Sequence, residues 1–197
     1  MKEELNLKEL TLNLHDQTEE LNFTDELKDG SLSESQYKTL ILRNYIVNKH
    51  IENCAENLLE IPVEIKLDYP KRKKCHALKN EIKHLHLEND IPDVEVEKPV
   101  YNKHSVLGAI YVAEGSTLGG QYIHKRLTEL PQFKDYFKNI DRPFFGVYGK
   151  ETGPLWKSFK NIIQEYADKH ECHSQIREGA NETFQFFLNV SKSVSYS

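Results

Sequence analysis

The interior of a helix is a poor place for glycine, yet the segment from Leu107 to Leu127, LGAIYVAEGSTLGGQYIHKRL, reads as one helix and carries four. Each costs roughly 0.8 to 1 kcal/mol against alanine. Gly108, Gly115 and Gly119 fall at the spacing of one helical face, and Gly120 stands beside the last of them. A bare face of this kind asks for something bulky against the backbone. A neighbouring helix would serve, and so would a flat ligand.

The rest of the chain is also helical in pattern. Leu7, Leu10, Leu14 and Leu21 recur at helical offsets, which predicts an amphipathic first helix from Leu5 to Leu21. Asp29 and Gly30 interrupt the pattern, and Ser33 with Gln36 makes a capping box for a long second helix reaching about Leu59, with Pro62 ending it. A third helical stretch runs from Lys71 to about Leu87, followed by an exposed loop from Asn89 to Pro99. Beyond the glycine-bearing helix, Leu130 and Pro131 stop the chain. A short helical piece and an aromatic loop follow. Thr152 and Pro154 then suit the start of a helix containing Trp156, Phe159, Ile162 and Ile163, and Ser174 caps a last helix through Ala180, Phe184, Phe187 and Leu188. No strand hairpin and no internal repeat is visible. The expected fold is all-α, a single-domain bundle of seven or eight helices spanning residues 1–197.

Composition narrows the partners. With 197 residues and a formal charge of -5, the chain is long enough for a substantial core and lacks the basic stripe of a nucleic-acid binder. The KRKK run from Lys71 to Lys74 reads as a solvated helix start. No apolar run has the length of a membrane span, and the first ten residues lack the apolar centre of a signal peptide, so a cytoplasmic protein is expected. Cys54, Cys75 and Cys172 form no CxxC unit and are expected as reduced thiols. His84 and His86 point to different sides of their helix and read as solvated side chains rather than a metal pair.

One histidine is more suggestive. His15 lies seven residues after Lys8 and four after Thr11, so the three are expected to project to similar sides of the first helix. If this helix packs beside the glycine face, a flat cofactor fits between imidazole and bare backbone. Seven residues of helix span about 10.5 Å, which would put Lys8 near the rim of a porphyrin-sized disc ligated by His15. Close helix packing explains glycine faces equally well at this point.

The glycine-bearing helix followed by YGKETGPLW resembles the heme oxygenase family, particularly its bacterial members associated with bilin-binding photoreceptors. LKELTLNLH, from Leu7 to His15, resembles the family's proximal helix. The agreement continues through Phe23, the Lys28-Asp29-Gly30 turn, Tyr37, the Phe159-Lys160 pair and the helix from Ala180 to Phe184. The resemblance implies heme as substrate and cofactor, with dioxygen, opened to biliverdin with release of carbon monoxide and iron. It implies His15 as the proximal iron ligand, with Thr11 beside it on the heme-facing helix. Gly115, Ser116 and Gly119 would be the distal residues that act in catalysis, with Gly120 also against the macrocycle. Lys8 and Lys160 would stand near the propionates, and Phe184 would line the pocket or fill the core beneath it.

Three positions depart from the family pattern. Ser116 stands where animal members carry an aspartate that organises distal water, Leu12 where a second lysine is frequent, and Gln164 where an arginine meets a propionate. A hydroxyl holds no charge, so a water network at Ser116 would run differently. The chain has no dinucleotide or flavin fingerprint and no cysteine cluster, so electrons would come from a ferredoxin, a flavodoxin or a flavoprotein reductase. A bilin-binding photoreceptor would be a downstream partner. Two other classes fit the same residues: a non-catalytic heme or bilin carrier, and an enzyme on a similar scaffold acting on thiamine fragments or quinones.

Overall fold

The computed structural model describes residues 3–196, which form ten α-helices and three short 3-10 turns with no strand among them. In chain order the helices are α1 (Leu7–Leu10), α2 (Leu12–Glu20), α3 (Thr24–Asp29), α4 (Glu34–Leu58), α5 (Ile61–Leu67), α6 (Tyr69–Arg72), α7 (Cys75–His84), α8 (Ser105–Glu129), α9 (Thr152–His170) and α10 (His173–Ser193). The all-α expectation holds. The helix count is higher because two expected helices are broken and two, α3 and α5, were not foreseen.

The expected first helix divides at Thr11, whose backbone leaves the helical region at φ -100° and ψ 2°. Thr11 is buried, and its hydroxyl donates to the Leu7 carbonyl at 2.7 Å, joining α1 to α2 through a side chain. Pro62 does not simply end α4; it occupies the first turn of α5, where its missing N–H is no loss. The third expected helix is broken, with α7 beginning at Cys75, because Lys73 turns to extended geometry at φ -67° and ψ 134° between α6 and α7. The start of α4 is as the sequence indicates. Ser33 Oγ accepts from the Gln36 amide at 3.2 Å, and Gln36 Oε1 accepts from the Ser33 amide at 2.8 Å.

Three long helices, α4, α8 and α10, pack on one another and carry the core, with Leu40, Ile41, Val106, Leu107, Phe186 and Leu188 all almost fully buried. The α8–α10 crossing is closest. A Cβ on Gly108 would lie 2.0 Å from the Ile176 carbonyl oxygen, and one on Gly179 would lie 2.0 Å from that of Ser105. Two glycines therefore remove the side chains that would hold these backbones apart. All three cysteines are unpaired, and burial pushes their thiols up. No helix among the described residues is long and apolar enough to cross a membrane.

Candidate functional site

The first residues run along α10. The Leu5 carbonyl accepts from Arg177 Nε at 3.1 Å, the His15 ring meets Phe184 edge-on at 6.0 Å, and Arg43 links the Leu21 carbonyl at 2.6 Å to that of Val194 at 2.9 Å. Helix α8 crosses α10 at Gly108 and continues to α3, where Arg126 donates to the Lys28 carbonyl at 2.8 Å. Helices α2 and α8 both pack on α10, which makes α10 the floor, and α2 and the middle of α8 the two walls, of the candidate cleft. Phe184, buried at 8% exposure, belongs to the floor.

On the α2 wall the His15 side chain is half exposed. Its Nδ1 lies 3.8 Å from the Asp16 carboxylate and its Nε2 lies 3.7 Å from that of Glu19. The donor atoms of the three side chains sit within 4.8 Å of one another, a group able to hold a metal through the imidazole and polarise that imidazole with a carboxylate. Lys8 is exposed near the start of this wall. Thr11 is not in it, because its side chain turns into the protein.

The α8 wall separates the four glycines by what faces them. Gly108 is taken up by α10, and Gly120 by the loop after α8, since its Cβ would meet the Phe145 carbonyl oxygen at 3.0 Å. Gly120 thus lies against protein backbone. A Cβ on Gly115 would meet the Trp156 ring at 3.5 Å, an ordinary contact, and one on Gly119 would meet nothing within 4 Å. Packing explains two of the glycines and leaves Gly115 and Gly119 without a packing requirement. Ser116 is exposed beside them, with its hydroxyl donating to the Ala113 carbonyl at 2.8 Å. Its lone pairs remain available to a donor in the cleft. Gly119→Ala should therefore stabilise the ligand-free protein by about 0.5 to 1 kcal/mol, read as a raised urea midpoint.

Buried carboxylates hold this wall from behind. Glu114, 1% exposed and adjacent to Gly115, pairs with Arg72, accepts from Lys74 Nζ at 2.6 Å, and accepts from the Tyr148 hydroxyl at 2.7 Å. Burial opposes its ionisation, but Lys74, Tyr148 and Arg72 together keep the carboxyl below the usual range. Arg72 and Lys74 come from the KRKK run, so two of those four residues are 4% and 2% exposed rather than solvated. Lys71 and Lys73 do bridge surface acids, Glu151 at 3.1 Å and Glu56 at 2.7 Å. A second buried acid, Glu81, accepts from the Tyr37 hydroxyl, from the Tyr136 hydroxyl at 3.0 Å and from the Phe144 amide at 2.5 Å. Burial raises its pKa, with those three donors opposing the shift. The loop that covers Gly120 is thus held by Glu81 at Phe144 and by Glu114 at Tyr148.

Helix α9 packs against α8 and α10. Lys160 is exposed, with Nζ 5.5 Å from the Trp156 ring centre. Gln164, by contrast, is engaged elsewhere: its Oε1 accepts from the Leu5 amide at 3.0 Å, and its Nε2 reaches the Glu3 carbonyl at 2.9 Å and Asp168 at 2.8 Å. Where an arginine would face the cleft, this glutamine fastens residues 3–5. Leu12 is half exposed. Sequence reading missed Trp156, Glu114, Arg72 and Lys74 as parts of the site. Only the glutamate's place next to a glycine hinted at it.

Helix α2 thus exposes an imidazole, and α8 presents at Gly119 a stretch of glycine backbone that no protein atom approaches. The family model described as heme oxygenase matches residues 3–193 of the chain. No curated protein sequence matches it.

Proposed function

The chain belongs to the heme oxygenase family, whose members bind and degrade heme, and from that premise we propose that this protein opens heme to biliverdin, carbon monoxide and ferrous iron. The observation that carries the reading is Gly119. It is a helix-interior glycine that no protein atom requires, on a helix packed against α10, the same helix that the exposed His15 lies on. The residues fit the group: a neutral imidazole for iron, bare backbone for a flat face, Phe184 beneath, and Lys8 and Lys160 for the two carboxylates.

In this reading, heme when bound supplies the oxygen chemistry with dioxygen and external electrons, and the protein supplies placement. His15 would hold the iron through one ring nitrogen, and Glu19 beside its Nε2 or Asp16 beside its Nδ1 would orient the imidazole through the other. Gly115 and Gly119 leave room above the ring that any side chain would fill. Ser116 would accept a hydrogen bond from a water in the cleft, since its own proton is engaged with Ala113, and so would hold that water beside the glycine backbone. The propionate clamp relies on Lys8 and Lys160, because Leu12 has no charge and Gln164 is committed to residues 3–5. Electrons come from a separate ferredoxin, flavodoxin or flavoprotein reductase.

Hemin added to the purified protein should give a Soret band. His15→Ala should abolish or shift that band and weaken binding by more than the roughly 10- to 100-fold typical of losing a supporting contact at a metal site. An unchanged spectrum would remove His15 from the iron. Gly119→Ala should lower heme affinity while raising stability, a pair of opposite signs that a structural glycine would not produce. With ascorbate or reduced ferredoxin, the heme complex should accumulate biliverdin absorbance above free-heme controls. The engagement of the Ser116 proton also suits a heme or bilin carrier on the same fold, and failure of turnover with intact binding would establish that second reading.

A further inference from the structure

A flat ring held between two walls keeps one freedom that neither wall removes, which is to turn and slide in its own plane. Limiting that motion takes a rigid, bulky group at the end of the cleft. Helix α9 sets such a group, Trp156, the only tryptophan of the chain, against the glycine-bearing helix. Its six-membered ring reaches 3.5 Å from where a Cβ of Gly115 would stand. The indole is braced on two sides, stacked with Phe159 at 6.1 Å and 18° and lying 5.1 Å from Tyr111, one turn before Gly115 on α8. The Lys160 ammonium stands 5.5 Å from the indole ring centre. Phe159 is fully buried, so the brace is anchored in the core and the indole has little room to swing.

We propose that Trp156 is the specificity-determining end wall of the cleft: its indole sets how a porphyrin bound between His15 and the Gly115–Gly119 face is rotated in its own plane, and so which ring edge meets Ser116. This rests on the heme reading above. The fit at Gly115 supports it, because alanine there would make only an ordinary contact with the indole. The indole does not require that glycine; a ligand lying against the same backbone would. Lys160, four residues after Trp156 on α9, joins the steric stop to a charge for the ring's carboxylates.

The test reads seating without turnover. Ferric heme complexes of the unmodified protein and of Trp156→Phe, Trp156→Leu and Trp156→Ala are compared by proton NMR, in which each in-plane orientation gives its own set of heme methyl resonances. Circular dichroism and the Soret band report folding and iron ligation in the same samples. Trp156→Phe should keep the pattern of the unmodified complex. Trp156→Ala should add new methyl resonances carrying about a tenth or more of the intensity, since a tenfold preference corresponds to only about 1.4 kcal/mol. Should alanine prevent folding, leucine keeps the apolar contact with Tyr111 and Phe159 and should show the same new resonances. Methyl patterns identical to the unmodified complex in the alanine or leucine protein would overturn the end wall, as would loss of folding in both, which would make Trp156 a core residue. Absence of a Soret band in the unmodified protein would instead overturn the heme reading on which the wall depends.

Discussion

Alanine at Gly108 should remove a large part of the protein's stability. The added methyl would stand 2.0 Å from the Ile176 carbonyl oxygen and 2.5 Å from the Ala180 amide nitrogen, and neither backbone atom can rotate away as a side chain would. Overpacking typically costs about 1 to 3 kcal/mol, and a backbone clash belongs at or beyond the upper end. Against a total of about 5 to 15 kcal/mol for a folded protein, that is a major loss. Gly179→Ala should act alike, because its methyl would strike the Ser105 carbonyl. The double variant should cost less than the sum, since one separation of α8 from α10 relieves both clashes. Urea unfolding of the three variants checks this through their midpoints. The contrast with Gly119, one face of the same helix and the opposite sign, makes the glycines separable by stability alone.

Glu114→Ala is the second large effect. It would leave Arg72 and Lys74 charged, 4% and 2% exposed, without their carboxylate. Removing one partner of a buried ion pair costs about 3 to 5 kcal/mol, because the orphaned charge stays out of water. Adding Lys74→Met to Glu114→Ala should recover part of the loss, as one of the two stranded charges disappears. Thermal unfolding of the single and double variants measures this. No recovery would mean that Lys74 reaches water once Glu114 is gone.

The buried cluster also shows where sequence reading stops. In KRKK the charges alternate in fate: Lys71 and Lys73 meet surface acids, while Arg72 and Lys74 turn inward to Glu114. Charge pattern alone predicts solvation, since the partner lies 42 and 40 residues away and its carboxylate is invisible to any local rule. The glycine face was legible as a face, but its division was not. Whether Gly108 meets a helix and Gly119 meets open space depends on where α10 crosses, which is a tertiary fact. The capping box at Ser33 was legible because both of its partners lie within four residues. Thr11 was read as projecting beside His15, and the helix breaks there because its hydroxyl turns back to Leu7. Trp156 was read only as one residue of the helix that also carries Phe159. Its approach to Gly115 joins α9 to α8 across 41 residues of chain, beyond what periodicity reports.

The fastening of residues 3–5 bears on the order in which the molecule assembles. The Leu5 amide bonds to Gln164 across 159 residues, and its carbonyl bonds to Arg177 across 172. Contacts of such separation are slow to form, because the loop they close must be ordered before they contribute. The segment carrying His15 precedes the surface it lies on, α10, in chain order and so leaves the ribosome before it. The imidazole wall is therefore completed only once α10 has been made, and a nascent chain that already has α8 and its glycines would have only half of a site.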